Sequence, residues 1–385
     1  MISMQTEPSI PHHSYWQLFL RFLKFGLLAW GGPVAQIAML RQELVDEEKW
    51  ISSERFQRVL AVYQVLPGPE AHEMCVYFGM VVRGRLGGIL AGLGFMLPGF
   101  VLMFALAWFY VTYGISSALF AGVFYGFQAA VAALILRAVH RIGSHALHNQ
   151  WLWGLALIGA AAKFLDVNFL IPLAAGGILY AFARRSKFSI SAILFLPVAG
   201  FSISLAVAAP SVLDLFGYGL RAGLLTFGGA YTAIPFLQHD AVVAGAWMTN
   251  QQFLDGLALS SILPAPLIIF STFLGYLGAG PLGAMAITAG IFLPAFLFTL
   301  LGHNFLERLI DNPQVHSFLD GVAAALVGLI AVTAVQLLQT ALPDLPAIGI
   351  FSLSLLVLYR WKARAAVAGI MLGAGLLGLA VRFLQ

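Results

Sequence analysis

Residues 26–33 read GLLAWGGP and residues 223–230 read GLLTFGGA; LPGP at 66–69 is answered by LPAP at 263–266. One shift of 197 residues relates both pairs, and across 26–69 and 223–266 it gives fifteen identities in forty-four positions, including Trp50 with Trp247. One residue is then lost, and a shift of 196 aligns Gly84 with Gly280, Leu86 with Leu282, Gly94 with Gly290, Pro98 with Pro294 and Phe100 with Phe296. The chain is an internal repeat, and a repeat found first constrains everything read after it.

Around these motifs the sequence is 61% hydrophobic and 9% charged over 385 residues, far from the composition of a soluble domain. At about 20 apolar residues per spanning helix, the length fits on the order of a dozen crossings and leaves no room for a soluble domain. Apolar runs predict spans near 24–40, 57–82, 88–112, 117–139, 150–164, 166–183 and 188–209, then near 214–237, 253–278, 281–306, 317–339, 344–359 and 365–383. The thirteen divide into a first repeat (1–187), a linking transmembrane helix (188–213) and a second repeat (214–385). With six spans per repeat and one between, the second repeat starts on the opposite face. The expected fold class is therefore an all-α polytopic membrane protein of two inverted-topology repeats, with discontinuous helices at the Gly-Gly and Pro-x-Pro breaks. This architecture belongs to secondary transporters and places the substrate between the repeats.

Lys and Arg counts set the orientation. The span assignment puts thirteen on the face of the N-terminus and seven, among them Arg41, Lys49, Arg55 and Arg58, on the other, although the stretch 41–58 also holds five acids. A cytoplasmic N-terminus and an outside C-terminus follow. The first fifteen residues carry no Lys or Arg and no cleavage site, so no removable signal is expected. The single cysteine, Cys75, forms no intrachain disulfide.

The breaks carry the chemistry. Gly31-Gly32-Pro33 matches Gly228-Gly229, and Pro67-Gly68-Pro69 matches Pro264-Ala265-Pro266. Proline inside a helix costs about 3 kcal/mol, and backbone groups freed at membrane depth need protein or a water-lined cavity. Half-helices that start after such breaks aim their N–H groups and positive dipole ends into the gap, which suits an anion. Thr226, Ser260 and Ser261 add hydroxyls. Lys24 and Arg221 each stand seven residues before a glycine pair; they are read as cations at two anion mouths or as side chains that snorkel to the headgroups.

Glu70, His72, Glu73 and Cys75 fall inside an apolar span, where ionisable residues are functional candidates by default. Glu70 and Glu73 are candidates for proton coupling, with Glu70 also suited to cap the half-helix after Pro69. A transition metal is the other chemistry these side chains allow, but Leu267, Ile269, Phe270 and Thr272 at the matching places do not repeat the ligands; no metal or other cofactor is expected. His140, His145 and His148 read as a cytoplasmic loop with Arg137 and Arg141. No HExxH, GxSxG, P-loop or dinucleotide fingerprint occurs, so the protein is read as neither an enzyme nor an ATP-driven pump, and its basic residues report topology rather than nucleic acid.

FLKFGLLAWGGPVA at 22–35, the charged stretch that ends in Trp50 and LPGP at 66–69, with RAGLLTFGGA at 221–230 and LPAP at 263–266, resemble the chromate transporter family in its two-domain form. Trp30 stands where the family usually has Phe, and Ala230 and Ala265 replace the Pro and Gly of the first half. The resemblance implies efflux of chromate, a sulfate-like tetrahedral oxyanion, across the inner membrane and hence chromate resistance. Composition and spacing alone reach an inverted-repeat transporter of an anion, and leave sulfate, a passive anion channel and a homodimer open. The partners expected are the lipid bilayer and the small inorganic oxyanion.

Overall fold

The computed structural model describes residues 11–113, 118–165, 167–184, 209–227, 229–310, 313–361 and 366–384. Among them the fold is all-helical. The first half supplies α1 (Tyr15–Leu27), α2 (Gly32–Leu40), α3 (Ser53–Val65), α4 (Glu70–Tyr113), α5 (Ala118–Ala146), α6 (Gln150–Phe164) and α7 (Leu170–Ala183). The second supplies α8 (Val212–Leu224), α9 (Ile234–Gln238), α10 (Asn250–Ser261), α11 (Phe270–Ile310), α12 (Pro313–Ala341), α13 (Leu345–Arg360) and α14 (Ala366–Leu384). The halves match element by element down to the caps. Ser14 and Ser211 close capping boxes on α1 and α8, and Ser52 and Thr249 cap α3 and α10. π-helical turns follow α2 at Arg41–Glu47 and α9 at His239–Ala244. Among the described residues five helices are long and apolar enough to span a bilayer, and the chain is a multi-pass membrane protein. The linking helix expected at 188–209 falls, except for its last residue, outside the described residues.

Two predicted spans per half are instead hairpins that enter and return. α4 reverses at Gly84 (φ 63°) and α11 at Gly280 (φ 63°), conformations that glycine adopts without steric cost. The short arm of α4, 70–82, folds back on the long arm, 85–113: Gly79 packs on Gly87, and a Cβ on Gly88 would meet the Val76 carbonyl at 2.9 Å. Gly275 packs on Gly283 in the same way. At the base of the first half, Arg83 donates to the His13 carbonyl at 2.6 Å, and Trp50 packs against His13, Phe22 and Phe78. Residues 13, 50 and 83 therefore share one end of the molecule. The runs 24–40 and 57–82 do not cross; α1–α2 and α3 with the short arm of α4 each go in and come back. The runs 214–237 and 253–278 do the same from the other end, where Trp247 stacks on Tyr218 and donates to the Leu274 carbonyl at 3.2 Å.

The long arms of α4 and α11 settle the relation of the halves. Gly92 meets Phe296 and Gly88 meets Leu300, so numbers rise along one helix as they fall along the other. Equivalent helices run antiparallel: the repeats are inverted. The halves also exchange helices. α13 and α14 of the second half pack on α5 of the first, while α6 and α7 pack on α12. Tyr125 bonds to Asp344 and His140 to Tyr359 along the α5–α13 seam, Gly126 lies on the Ala374 carbonyl, and Gly159 and Gly328 sit between α6 and α12. In lipid, where apolar burial gives helices no reason to associate, such small-residue contacts let dispersion do it.

His140 and His145 lie on α5 with Arg137 and Arg141, because that helix continues to Ala146; only His148 is in the connection. The loop expected from the charge pattern starts ten residues later than its first arginine.

Candidate functional site

The four hairpin tips meet at the centre. α1 packs along the long arm of α4 from Leu18 against Gly87 to Gly26 against Phe95 and Pro98. The turn at Gly31 (φ 89°) and Gly32 (φ 77°) thus lies beyond Pro98, about midway along the arm. Pro67, Gly68 and Pro69 are buried there, and the Gly68 amide donates to the Thr226 carbonyl at 2.8 Å. That bond joins a tip of the first half to a tip of the second. From the other side Ala265 fills the space a Cβ would take on Gly99, and Ala295 faces Gly68. Pro264 and Pro266 are buried beside it.

The hydroxyls stitch each tip. Thr226 Oγ1 donates to the Ala222 carbonyl at 2.6 Å, Ser261 Oγ to Leu257 at 2.8 Å, and Ser260 Oγ reaches across the break to Leu267 at 2.8 Å. Their lone pairs remain. Gly229 (φ 116°) holds the second glycine turn; its neighbour Gly228 lies outside the described residues. The short arm of α4 begins at Glu70, with the His72 and Glu73 amides returning to the Pro69 carbonyl at 2.8 and 3.1 Å. The Glu70 and Ala71 N–H groups precede the first intrahelical bond.

Glu73 and His72 are fully buried, and neither carboxylate oxygen of Glu73 has a hydrogen-bond partner. A Cβ on Gly68 would stand 2.8 Å from Glu73 Oε1, so the carboxylate lies directly on the tip. The His72 ring stands edge-on to Phe292 and Phe296 of the opposite half. Unsatisfied buried polar groups are rare, and a carboxyl group with none of its oxygens paired, at the meeting point of four broken helices, makes this the candidate site. Among the described residues no cluster of three or more His, Cys, Asp or Glu has the geometry to hold a metal.

The predicted cations behave differently from the tips. Arg221 is paired with Asp240 of the π-turn and lies over the rings of Phe169 and Tyr218 at 5.3 and 5.5 Å. In the first half the acid equivalent to Asp240, Glu43, pairs at 3.1 Å with Arg21, one turn before Lys24, and Arg21 also reaches Glu48. Lys24 is exposed. Sequence reading missed these acids, although Glu43 and Asp240 obey the 197-residue shift. It also missed Asp255, fully buried on α10, which accepts from Gln128 Nε2 at 2.7 Å and Tyr110 Oη at 2.8 Å. An acid inside an apolar run was the available signal.

An all-helical membrane protein built of two inverted repeats, with four helix breaks gathered at its centre, has the build of a membrane transporter. A family model for chromate transporters matches residues 16–181 and 213–379, one copy per half. The chain is 54% identical over 391 residues to a chromate transport protein of Pseudomonas aeruginosa, covering 97% of this chain and 94% of that one. It is 33% identical to a probable chromate transport protein of Synechococcus elongatus over 91% of both chains, and 31% identical to a chromate transport protein of Cupriavidus metallidurans over 96% of this chain and 94% of that one. No solved structure matches it. The chain belongs to the chromate transporter family, whose members are transporters rather than enzymes.

Proposed function

We propose that the protein is a secondary transporter that exports a small tetrahedral oxyanion, chromate above all, from the cytoplasm across the inner membrane by alternating access between its two halves. The observation that carries this is the convergence of the four tips. Half-helix N-termini from opposite halves point at one central volume, where their N–H groups and dipoles favour an anion. Gly31, Gly32, Gly68 and Gly229 let backbone approach the ion closely, and Thr226, Ser260 and Ser261 keep acceptor oxygens whose protons are already committed. The names of the relatives point to chromate; sulfate has the same shape and charge.

Glu73 is the proton carrier in this reading. It is buried at the tip with no partner for either oxygen, whereas Glu70 begins the helix and is only half-buried, as a cap would be. Arg141 acts electrostatically on Glu70, which eases the conflict between that carboxylate and an anion at the same N-terminus.

The hairpins support one orientation. Arg41, Lys49, Arg55 and Arg58 belong on the N-terminal face once the first two runs return to their starting side, and the sequence tally of thirteen to seven becomes seventeen to three. An imbalance of this size supports a cytoplasmic N-terminus.

Labelled chromate and sulfate supplied to inverted membrane vesicles under an imposed pH gradient test the proposal. Saturable chromate uptake that responds to the gradient is expected. Flux that neither saturates nor couples to any gradient would make the protein a channel.

A further inference from the structure

The two halves are alike in sequence but not in packing. On α3 the side chains of Gln57, Arg58, Ala61 and Gln64 form one exposed face. Their equivalents on α10 are Leu254, Asp255, Ala258 and Ser261; the first three are fully buried. α10 lies against α5, α12, α14 and the long arm of α4, with Asp255 tied to Gln128 and Tyr110 of the first half. α3 packs on α4, α11 and its own π-turn, and leaves the matching face uncovered.

That face cannot belong to lipid. α3 runs inward from Ser53 to the buried Pro67, and Gln64 stands about 16 Å along it at 1.5 Å per residue, close to the centre of the molecule. A row of Gln57, Arg58 and Gln64 that reaches from the helix start to that depth would cost several kcal/mol against hydrocarbon. Water is the solvent that such a row accepts.

The charge beside it is positive. Arg137 and Arg141 lie one turn apart on α5; both act electrostatically on Tyr231, just past the second glycine turn, and Arg141 acts on Glu70 at the end of α3's own hairpin. Arg58 is balanced by Glu54, four residues earlier, at 2.5 Å. With Glu70 counted against one arginine of α5, and with Glu73 at the tip in its protonated form, one positive charge remains beside the route to the tips.

We propose that the exposed face of α3, with Arg137 and Arg141 of α5, lines a water-filled cationic vestibule that leads a small oxyanion from the N-terminal end to the four tips, the opposite end being sealed by α10. The structure is then the state open to that end, and the other state is reached when α3 docks as α10 does now while α10 releases Asp255. This rests on the tips being the anion site.

Single-cysteine variants test it, because the native Cys75 is buried. Gln57→Cys, Gln64→Cys and Leu254→Cys are exposed in vesicles of each orientation to membrane-impermeant thiosulfonates of negative and positive charge. Gln57→Cys and Gln64→Cys are expected to react only from the N-terminal side, faster with the anionic reagent, and Leu254→Cys not at all. Replacing both Arg137 and Arg141 by Gln should lower the anionic reagent's rate tenfold or more, the scale of electrostatic focusing in a cleft, and chromate or sulfate should slow reaction at Gln64→Cys. Silence at both α3 positions, as lipid or a second copy covering the face would produce, overturns the vestibule, and so does equal reaction at Leu254→Cys. Charge-selective labelling without anion flux in any vesicle would keep the vestibule and remove the transporter reading; flux without labelling would do the reverse.

Discussion

Arg221→Met tests whether the cation of the second half, matched by Lys24 in the first, is structural. Its guanidinium pairs with Asp240, and the two side chains are only 15% and 2% exposed. Removing one partner of a buried pair strands the other charge and costs about 3–5 kcal/mol; loss of the contacts with the Phe169 and Tyr218 rings adds about 0.5–1 kcal/mol. Arg221→Met should therefore lower the folded-to-unfolded ratio by a hundredfold or more. The double variant Arg221→Met with Asp240→Leu should recover most of that loss, because two apolar side chains of similar size leave no charge behind. Arg21→Gln, whose partners Glu43 and Glu48 are 25% and 37% exposed, should cost about 0.2–1 kcal/mol. Thermal unfolding followed by monodisperse elution in detergent measures all of these. A Met variant as stable as the parent but unable to transport would refute the reasoning and return Arg221 to the anion path.

Glu73→Gln should keep anion exchange and lose the dependence of net flux on an imposed pH gradient, whereas Glu70→Gln should mainly lose about 0.5–2 kcal/mol of stability as a cap; flux against pH gradient in both variants reads this, and coupling lost only in Glu70→Gln exchanges the roles. Asp255→Leu, which strands the Gln128 and Tyr110 donors, should destabilise by about 1–3 kcal/mol per donor, and the accompanying Gln128→Leu and Tyr110→Phe changes should restore part of it in the same unfolding assay. Cysteines at Asp46 and Arg85 should label from one face and a cysteine at Arg382 from the other; labelling of Asp46 with the Arg382 face would mean that α1–α2 crosses the membrane. Gly126→Leu, driven into the Ala374 carbonyl, should abolish assembly in the membrane while Gly154→Leu, which meets nothing within 4 Å, leaves it intact.

The repeat and its breaks were legible because glycine and proline at positive-φ turns and helix starts have few substitutes, so most of them recur in both halves, Ala230 and Ala265 being the exceptions. The fold-back was not. A hydropathy window adds the two arms of a hairpin into one run of spanning length, and 57–82 reads the same whether it crosses or returns. The tell was electrostatic: Arg41, Lys49, Arg55 and Arg58 sat on the wrong side of the charge bias. The central placement of Glu73 followed from its depth in an apolar run, and the same logic applied to Asp255 would have found the seal on α10. No sequence signal identifies Gln128 and Tyr110 as its donors, since they come from 127 and 145 residues away and only the inverted packing brings them there.

The exchange of helices between the halves governs the order in which the chain can be made. When the ribosome has delivered the first half, α6 and α7 have little surface to rest on beyond each other, because the helix they chiefly pack against, α12, ends only at Ala341. α5 in turn waits for α13 and α14. α5, α6 and α7 therefore enter the bilayer without their main partners while α1 to α4 can already pack together, so a premature stop before α12 leaves apolar faces of α5, α6 and α7 exposed to degradation. It also makes the two halves one object in inheritance: a substitution on α12 is judged by helices translated 150 residues earlier.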